Sequence, residues 1–463
     1  MTTTTSTWRT ETDSLGEVRV PAGAYYGAQT QRAVENFAIS GMRSHPALIR
    51  ATALIKYASA RANRQLGKLD ERLATAIQQA AQEIADGGLR DQFVVDVFQA
   101  GAGTSYNMNA NEVIANRANE LLGGELGVYK PIHPNDHVNM SQSTNDTVPA
   151  AIRIAALDLT PALFQAVGGL ASALDDKGRE FDGVLKSGRT HLQDAVPIRL
   201  GQEFAAWAWT LRRDVRRIEQ AAECLREINL GGTAVGTGMN TARDYAANVA
   251  IEIPELDLRP AANLIAVTQS MSDFAHVSAS LRTLALDLIQ IANDLRLLSS
   301  GPRTGLAEIA LPAVQPGSSI MPGKVNPVMP EMTDMVCFQV VGNDATIAMA
   351  TQAGQLELNV MMPVIAHNLL QSFEILTNAT TALADRCVRG ITADRERARR
   401  YFESSVGLAT VLNPLIGYSA AAKVAQESAR TGETIVEVVR RQKLLTDDQI
   451  AELFNPALLT EPR

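Results

Sequence analysis

Residues 263–300 contain neither glycine nor proline, and apolar residues recur through them at Val267, Met271, Phe274, Val277, Leu281, Leu284, Leu288, Ile291, Leu295 and Leu298. The steps alternate between three and four almost throughout, which is the period of a helix packed in a bundle. At a rise of about 1.5 Å per residue, the segment predicts a helix roughly 55 Å long. Residues 202–230 repeat the pattern with Phe204, Trp207, Leu211, Val215, Ile218, Ala222, Leu225 and Ile228, again without glycine or proline. A third helix is predicted over 149–181. It opens on Pro149, a suitable first-turn residue, and Pro161 is the place for a kink. In the first segment Leu286, Ile289 and Leu297 lie off the main stripe. A helix apolar on more than one face requires burial on more than one side, so the pattern predicts a long-helix bundle at the core of a homo-oligomer. No βαβ alternation is present, and the fold class is mainly α.

The ends differ from this middle. Residues 1–140 mix short helical patterns with turns rich in Gly, Pro and Asn. A central region, 141–395, holds the long helices, and residues 396–463 read as a small helical domain punctuated by Gly407, Pro414, Gly417 and Pro456. Arg395, Arg397, Arg399 and Arg400 form a basic, solvated helix face there.

Composition narrows the function classes. The chain has 463 residues, 46% hydrophobic and 20% charged, with a formal net charge of -8. That balance argues against broad binding of nucleic acid or acidic membrane, while leaving room for an anion in a local pocket. Cys224, Cys337 and Cys387 are far apart and form no CxxC pair, as expected of reduced, inert thiols in the cytoplasm. The threonine-rich start has no apolar core of a secretory leader, and no run approaches a membrane span. No Walker loop, HExxH or EF-hand spacing is present, and the six histidines are scattered, so neither a metal nor a cofactor is expected.

Four polar segments stand out as too polar for a core: residues 101–109, 141–146, 188–194 and 317–327. Each lies near a predicted helix, where hydroxyls, amides and free backbone N–H groups are natural receptors for carboxylates. Capping explains any one of them alone; four beside three long helices favour a shared pocket. A fifth glycine-rich stretch, 231–238, reads as a turn between helices, with a substrate-side role as the minority reading. Within 317–327, Gly317 and Gly323 alternate with Pro316, Pro322 and Pro327, so the loop has both hinges and stiffeners. Lys324 can neutralise a carboxylate and Asn326 can bond to it. Ser318 or Ser319 can serve as nucleophile or, among enough donors, as base. A surface loop with an exposed lysine is the competing reading.

The run Gly-Ser-Ser-Ile-Met-Pro-Gly-Lys-Val-Asn-Pro at 317–327 resembles the signature loop of the fumarase/aspartase superfamily, essentially letter for letter. Residues 25–30, 101–111, 137–146, 186–197 and 231–240 are similar to further blocks of that family, in the same order. The resemblance implies a three-region subunit, a homotetramer built on the central helices, and active sites shared between subunits. It implies anti-elimination across the C2–C3 bond of a four-carbon dicarboxylate to give fumarate, without a cofactor. By motif position Ser318 is the expected base, and Lys324 and Asn326 hold one carboxylate with help from Thr190. Ser143, Thr144 and Ser319 receive the carboxylate that becomes the doubly charged aci form. Thr104, Asn145 and His191 surround the leaving group, and Glu331 resembles an acid that orients the histidine, a plain surface Glu being the other reading.

The leaving group is ammonia from aspartate or water from malate. Ser105, Ala110, Thr144, the 194–197 and 326–331 blocks and the closing Asn455–Pro456 stretch resemble the ammonia-releasing branch, and the balance favours it; His367 and Asn368 resemble the water-releasing one, and Met362 stands where the ammonia-releasing branch tends to carry an acid. A catalytically silent helical oligomer is the reading from another class, and the presence of Ser318, Lys324 and His191 speaks against it.

Overall fold

The computed structural model describes residues 7–461; the opening of the threonine-rich start, residues 1–6, lies outside the described residues. The fold is mainly α. Two antiparallel hairpins accompany the helices: β1 (Trp8–Asp13) with β2 (Gly16–Pro21), and β3 (Leu185–Thr190) with β4 (Gln193–Arg199). The first helices are α1 (Ala28–Asn36), α2 (Pro46–Gln65), α3 (Glu71–Ala85) and α4 (Thr104–Leu121). The long elements are α5 (Thr144–Glu180) and α6 (Leu200–Ala222). Two short helices follow, α7 (Tyr245–Ile251) and α8 (Leu264–Gln269). Then come α9 (Ser272–Leu298), α10 (Val328–Gln352) and α11 (Met362–Arg386).

The chain separates into two compact units. One comprises the chain up to Phe164 with Arg216–Ala285 and Phe338–Leu376; the other comprises Gln165–Val215, Leu286–Cys337 and the chain from Thr377 on. In the first, α4 carries the buried residues Tyr106, Val113 and Ile114, and the halves of α9 and α11 that belong to it bury Phe274, Leu281, Ile365 and Phe373. The second includes the C-terminal helices, which close over Phe402, Leu408, Leu412, Val424, Val438 and Val439. Nine of the ten predicted stripe positions in 263–300 are buried, and Val267 is half-buried. Leu286 and Leu297, off that stripe, are 50% and 39% exposed.

Helix boundaries depart from the periodicity in three places. The 263–300 segment is two helices, because Asn263 caps α8 through the N–H groups of Ile265 and Ala266, and Ser270 turns extended and accepts from the Ser272 N–H. The stripe runs on across the break because the apolar spacing is unaffected by it. The second helix ends at Ala222, and residues 227–228 pair instead with Arg259–Pro260. The third begins at Thr144 rather than Pro149, and it passes through both prolines. Its start is set by Ser143: the Ser143 hydroxyl accepts from the Asn145 N–H at 3.2 Å while the Asp146 carboxylate accepts from the Ser143 N–H at 2.8 Å, a reciprocal cap. This helix, contrary to the absence of any span-length run expected above, is long and apolar enough to cross a membrane, with a window of mean hydropathy 1.4 that is 50% buried within the fold.

Candidate active site

In the first unit the 141–146 segment opens α5, and Asp146 is its anchor. Asp146 is fully buried, and besides Ser143 it accepts from the N–H groups of Gly231 at 3.1 Å and Thr233 at 2.9 Å. Burial raises its carboxyl to about 6, against the lowering pull of those backbone donors and of Lys56. Asn145 donates to the Ala234 carbonyl at 2.8 Å, and Asn229 donates to the Asn145 carbonyl at 3.1 Å. The glycine-rich turn is thus stitched to the segment carrying Ser143, Thr144 and Asn145, which places the 231–234 stretch beside these candidates. Gly236 is required at this turn, since it has a φ of +88° and a β-carbon there would lie 2.4 Å from the Ile265 backbone.

Thr104 is exposed at the start of α4. The backbone reaches it through two left-handed residues, Ala102 (φ 60°) and Gly103 (φ 85°), and the Ala102 N–H is tied to the Val360 carbonyl at 2.8 Å. Beyond Thr104 the segment turns inward. Asn107 and Asn109 are 1% and 0% exposed, so the expectation that this segment is too polar for a core is corrected. Its polar groups are buried because each has a partner: Asn109 receives the Val94 N–H at 3.0 Å and donates to the Gln92 carbonyl at 2.9 Å. Asn107 donates to Thr144 Oγ1 at 3.2 Å, which joins the first and second polar segments.

In the second unit Thr190 and His191 are exposed at the tip of the β3–β4 hairpin. His191 (φ 56°) and Leu192 (φ 57°) form its two-residue turn, both left-handed as a type I′ turn needs. The hairpin is fixed by charge along β3. Arg189 makes a two-pronged pair with Glu308 at 2.9 and 3.0 Å, and Lys186 reaches Glu203 at 2.8 Å and Glu308 at 3.4 Å. Glu308 is fully buried, and a buried carboxylate is retained only with such partners.

The 317–327 loop closes on itself. The Gly317 N–H donates to the Lys324 carbonyl at 2.9 Å, and Asn326 Nδ2 donates to the Gly317 carbonyl. Ser318 Oγ accepts from the backbone N–H groups of Met321 at 3.0 Å and Ile320 at 3.2 Å. Two donors on one hydroxyl oxygen favour negative charge on it. Ser319 and Lys324 are exposed, and Ile320 is 83% exposed. Glu331 lies half-buried in the first turn of α10; among the described residues no hydrogen bond joins it to His191.

The structure therefore groups Ser143, Thr144 and Asn145 with the 231–234 turn, Ser318 with Asn326 and Lys324 in one closed loop, and Thr190 with His191 on one hairpin tip. Sequence reasoning missed Lys56, Asp146, Arg189 and Glu308. Asp146 and Arg189 stand within the polar segments 141–146 and 188–194, Lys56 is a lone cation within the apolar stretch 51–60, and Glu308 gave no signal. Burial pushes the thiols of Cys224, Cys337 and Cys387 up to about 12, which keeps them protonated at neutral pH. Among the described residues no group of three His, Cys, Asp or Glu is placed to hold a metal.

A lyase family model matches residues 16–342, and a second model, the fumarase C C-terminus, matches residues 408–461. The chain is 50% identical over 458 residues to an aspartate ammonia-lyase of Bacillus subtilis, covering 98% of this chain and 96% of that protein. It is 46% identical over 460 residues to an aspartate ammonia-lyase of Escherichia coli, covering 98% and 96%. Among solved structures, a cobalt-bound fumarate lyase:delta crystallin from Brucella melitensis superposes with a TM-score of 0.95 at 52% identity, covering 98% of this chain and 100% of that one. A class II fumarase from Schistosoma mansoni superposes with a TM-score of 0.93 at 38% identity, covering 97% and 98%.

Proposed function

This chain belongs to the lyase family matched over residues 16–342, the fumarase/aspartase superfamily, and from that membership we propose that it eliminates ammonia from L-aspartate to give fumarate. The observation that carries the choice of ammonia over water is the full-length identity of 46–50% to aspartate ammonia-lyases, against 38% to a class II fumarase. The enzyme is a carbon–nitrogen lyase.

The difficulty of the reaction lies in the proton. The C3–H beside a carboxylate is very weakly acidic, so the dianion left by its removal must be met by preorganised donors. Ser318, ionised, takes that proton and becomes a neutral hydroxyl; the two N–H groups on its oxygen support the assignment. Ser143, Thr144 and Ser319 donate to the aci-carboxylate. Lys324 and Asn326, with Thr190, hold the other carboxylate. The electron pair of the aci form then makes the C2=C3 double bond of fumarate as the C2–N bond to the substrate's ammonium group breaks, and neutral ammonia leaves past Thr104, Asn145 and His191. Glu331 orients His191 from another copy in this reading, since within one chain the two are not hydrogen-bonded. The chain supplies this chemistry from its own side chains, with no cofactor or metal.

Four copies assemble, each with regions 1–140, 141–395 and 396–463, and each site draws residues from more than one copy. The exposed apolar residues of α10, Met335 at 64%, Phe338 at 58% and Met349 at 64%, support that assembly, since large apolar side chains exposed on one helix are ordinarily covered. The free thiols fit a reducing cytoplasm. The deciding experiment incubates the purified protein separately with L-aspartate and L-malate and follows fumarate by its ultraviolet absorbance. Fumarate from aspartate alone is the expected result. Fumarate from malate alone overturns the ammonia-lyase reading, and silence with both, from an intact tetramer, revives the catalytically silent one.

A further inference from the structure

Lys56 takes no part in the chemistry above, yet α2 presents it with 0% of its surface exposed. Its ammonium donates to Gln142 Oε1 at 2.9 Å, Asn107 Oδ1 at 3.0 Å and Asn139 Oδ1 at 3.1 Å. Three amide oxygens meet the three N–H donors of a lysine, which has no acceptor of its own. The lysine therefore dictates which way each amide faces. With Oδ1 of Asn107 turned toward Lys56, its Nδ2 faces away and donates to Thr144 Oγ1 and to Asn139 Oδ1, each at 3.2 Å. The surrounding amides are fixed too. Asn111 donates to Asn139 Oδ1 at 3.2 Å, and Gln142 Nε2 donates to the carbonyls of Val138 and Met140 at 3.0 and 3.1 Å. A hydroxyl that accepts from an amide N–H has its own hydrogen left to give.

We infer that Lys56 and Asn107 are positioning residues of the elimination, which through the relay Lys56–Asn107–Thr144 hold the Thr144 hydroxyl as a donor to the substrate carboxylate that becomes the aci form. This rests on the reading of Thr144 as a carboxylate receptor. Without Lys56, the Asn107 amide is free to turn over, and Thr144 can then spend its hydrogen on Oδ1. With Lys56 in place that arrangement is closed, and the hydroxyl is committed before substrate arrives. A donor on the far side of the amide also polarises it, which strengthens each donor in the series. Such donors act where charge develops, so their worth falls on kcat more than on KM.

The test is a double-mutant cycle on whichever of L-aspartate and L-malate the wild type converts, so that a wrong choice of leaving group is seen in the wild type alone. Thr144→Val should lower kcat about 10- to 100-fold, the worth of one hydrogen bond to a charged group. Asn107→Asp keeps an acceptor for Lys56 but offers Thr144 an acceptor instead of a donor, so it should lower kcat by a similar factor. In that background Thr144→Val should cost less than about 2-fold, because the hydroxyl already points away. An equal cost of Thr144→Val in both backgrounds overturns the relay. A harmless Thr144→Val in the wild type removes the receptor reading and the relay with it. Should Asn107→Asp fail to assemble, Lys56→Met provides the second background: it frees the amide, so the cost of Thr144→Val should shrink, and an unchanged cost overturns the relay.

Discussion

The closure of the 317–327 loop is testable at its narrowest point. A β-carbon at Gly317 would lie 2.2 Å from the Lys324 carbonyl oxygen and 2.8 Å from the Asn326 nitrogen. Both are backbone atoms, so no side chain can swing aside. Reaching ordinary van der Waals separation requires the two limbs of the loop to part by about 1 Å. That movement stretches the Gly317–Lys324 bond of 2.9 Å and shifts Ser318, the next residue, by a similar amount. A misplacement of about 1 Å in a catalytic group costs on the order of 100-fold, or about 2.7 kcal/mol of transition-state stabilisation. Gly317→Ala should therefore lower kcat for fumarate formation about 100-fold. Stability should change by no more than about 1 kcal/mol, because residues 319–325 are exposed and bury little. Gly323→Ala is the control. Nothing lies within 4 Å of a β-carbon there, although φ is +77°, so only left-handed strain of about 1–2 kcal/mol is added. Steady-state rates at saturating aspartate, with thermal melts of the same preparations, read both quantities. A Gly317→Ala enzyme with wild-type kcat would refute the claim that the closed base of the loop positions Ser318.

Ser318→Ala should reduce turnover by about 100- to 10,000-fold, the range for a general base, with the assembly intact by light scattering; retention of substantial activity removes Ser318 from that role. Glu308→Gln should destabilise the fold by about 3 kcal/mol in denaturant unfolding, because it leaves Arg189 and Lys186 without their shared carboxylate, and a loss under about 0.5 kcal/mol would show the cluster to be dispensable. Lys56 supplies a pH prediction. Burial lowers its ammonium to about 7, partly offset by the charge of Asp146, whereas an unfolded lysine titrates near about 10.4. Between those values the unfolded chain binds a proton that the folded chain does not, so Lys56 makes stability rise with pH by up to about 1.4 kcal/mol per unit. The stability of wild type relative to Lys56→Met should climb between about pH 8 and about pH 9, and a flat difference would show that Lys56 titrates as an exposed lysine does.

What the sequence disclosed and what it hid divide along a physical line. The stripe through 263–300 was legible because burial of one helix face leaves a period in the chain that survives a local break. The break at Ser270 was not, since it depends on which hydroxyl accepts from which N–H, and nothing in a run free of glycine and proline marks that choice. The start of α5 shows the same division. Pro149 satisfies the rule for a first turn, but the Ser143–Asp146 cap satisfies more orphan donors and wins.

The site follows this line further. Ser318, Lys324 and Asn326 were legible because they stand within a single loop whose letters are adjacent. Thr144 was legible as a hydroxyl near a helix start, but not as a hydroxyl already committed to donate. That property comes from Lys56, 88 residues earlier in the chain, acting through an asparagine that the sequence alone would leave facing water. The six polar residues Asn107, Asn109, Asn111, Glu112, Asn116 and Asn119 of α4 are all 0–2% exposed. An amphipathicity argument assigns such a helix face to solvent, because burying an unpaired amide is costly. The cost vanishes only when every donor finds its acceptor. Glu112, for instance, receives the N–H groups of Gly27, Gln29 and Thr30 at 2.9–3.1 Å. Satisfaction of that kind is a property of the whole fold, so the polar core of α4, and with it the orientation of the hydroxyl it serves, emerges only once distant segments are in place.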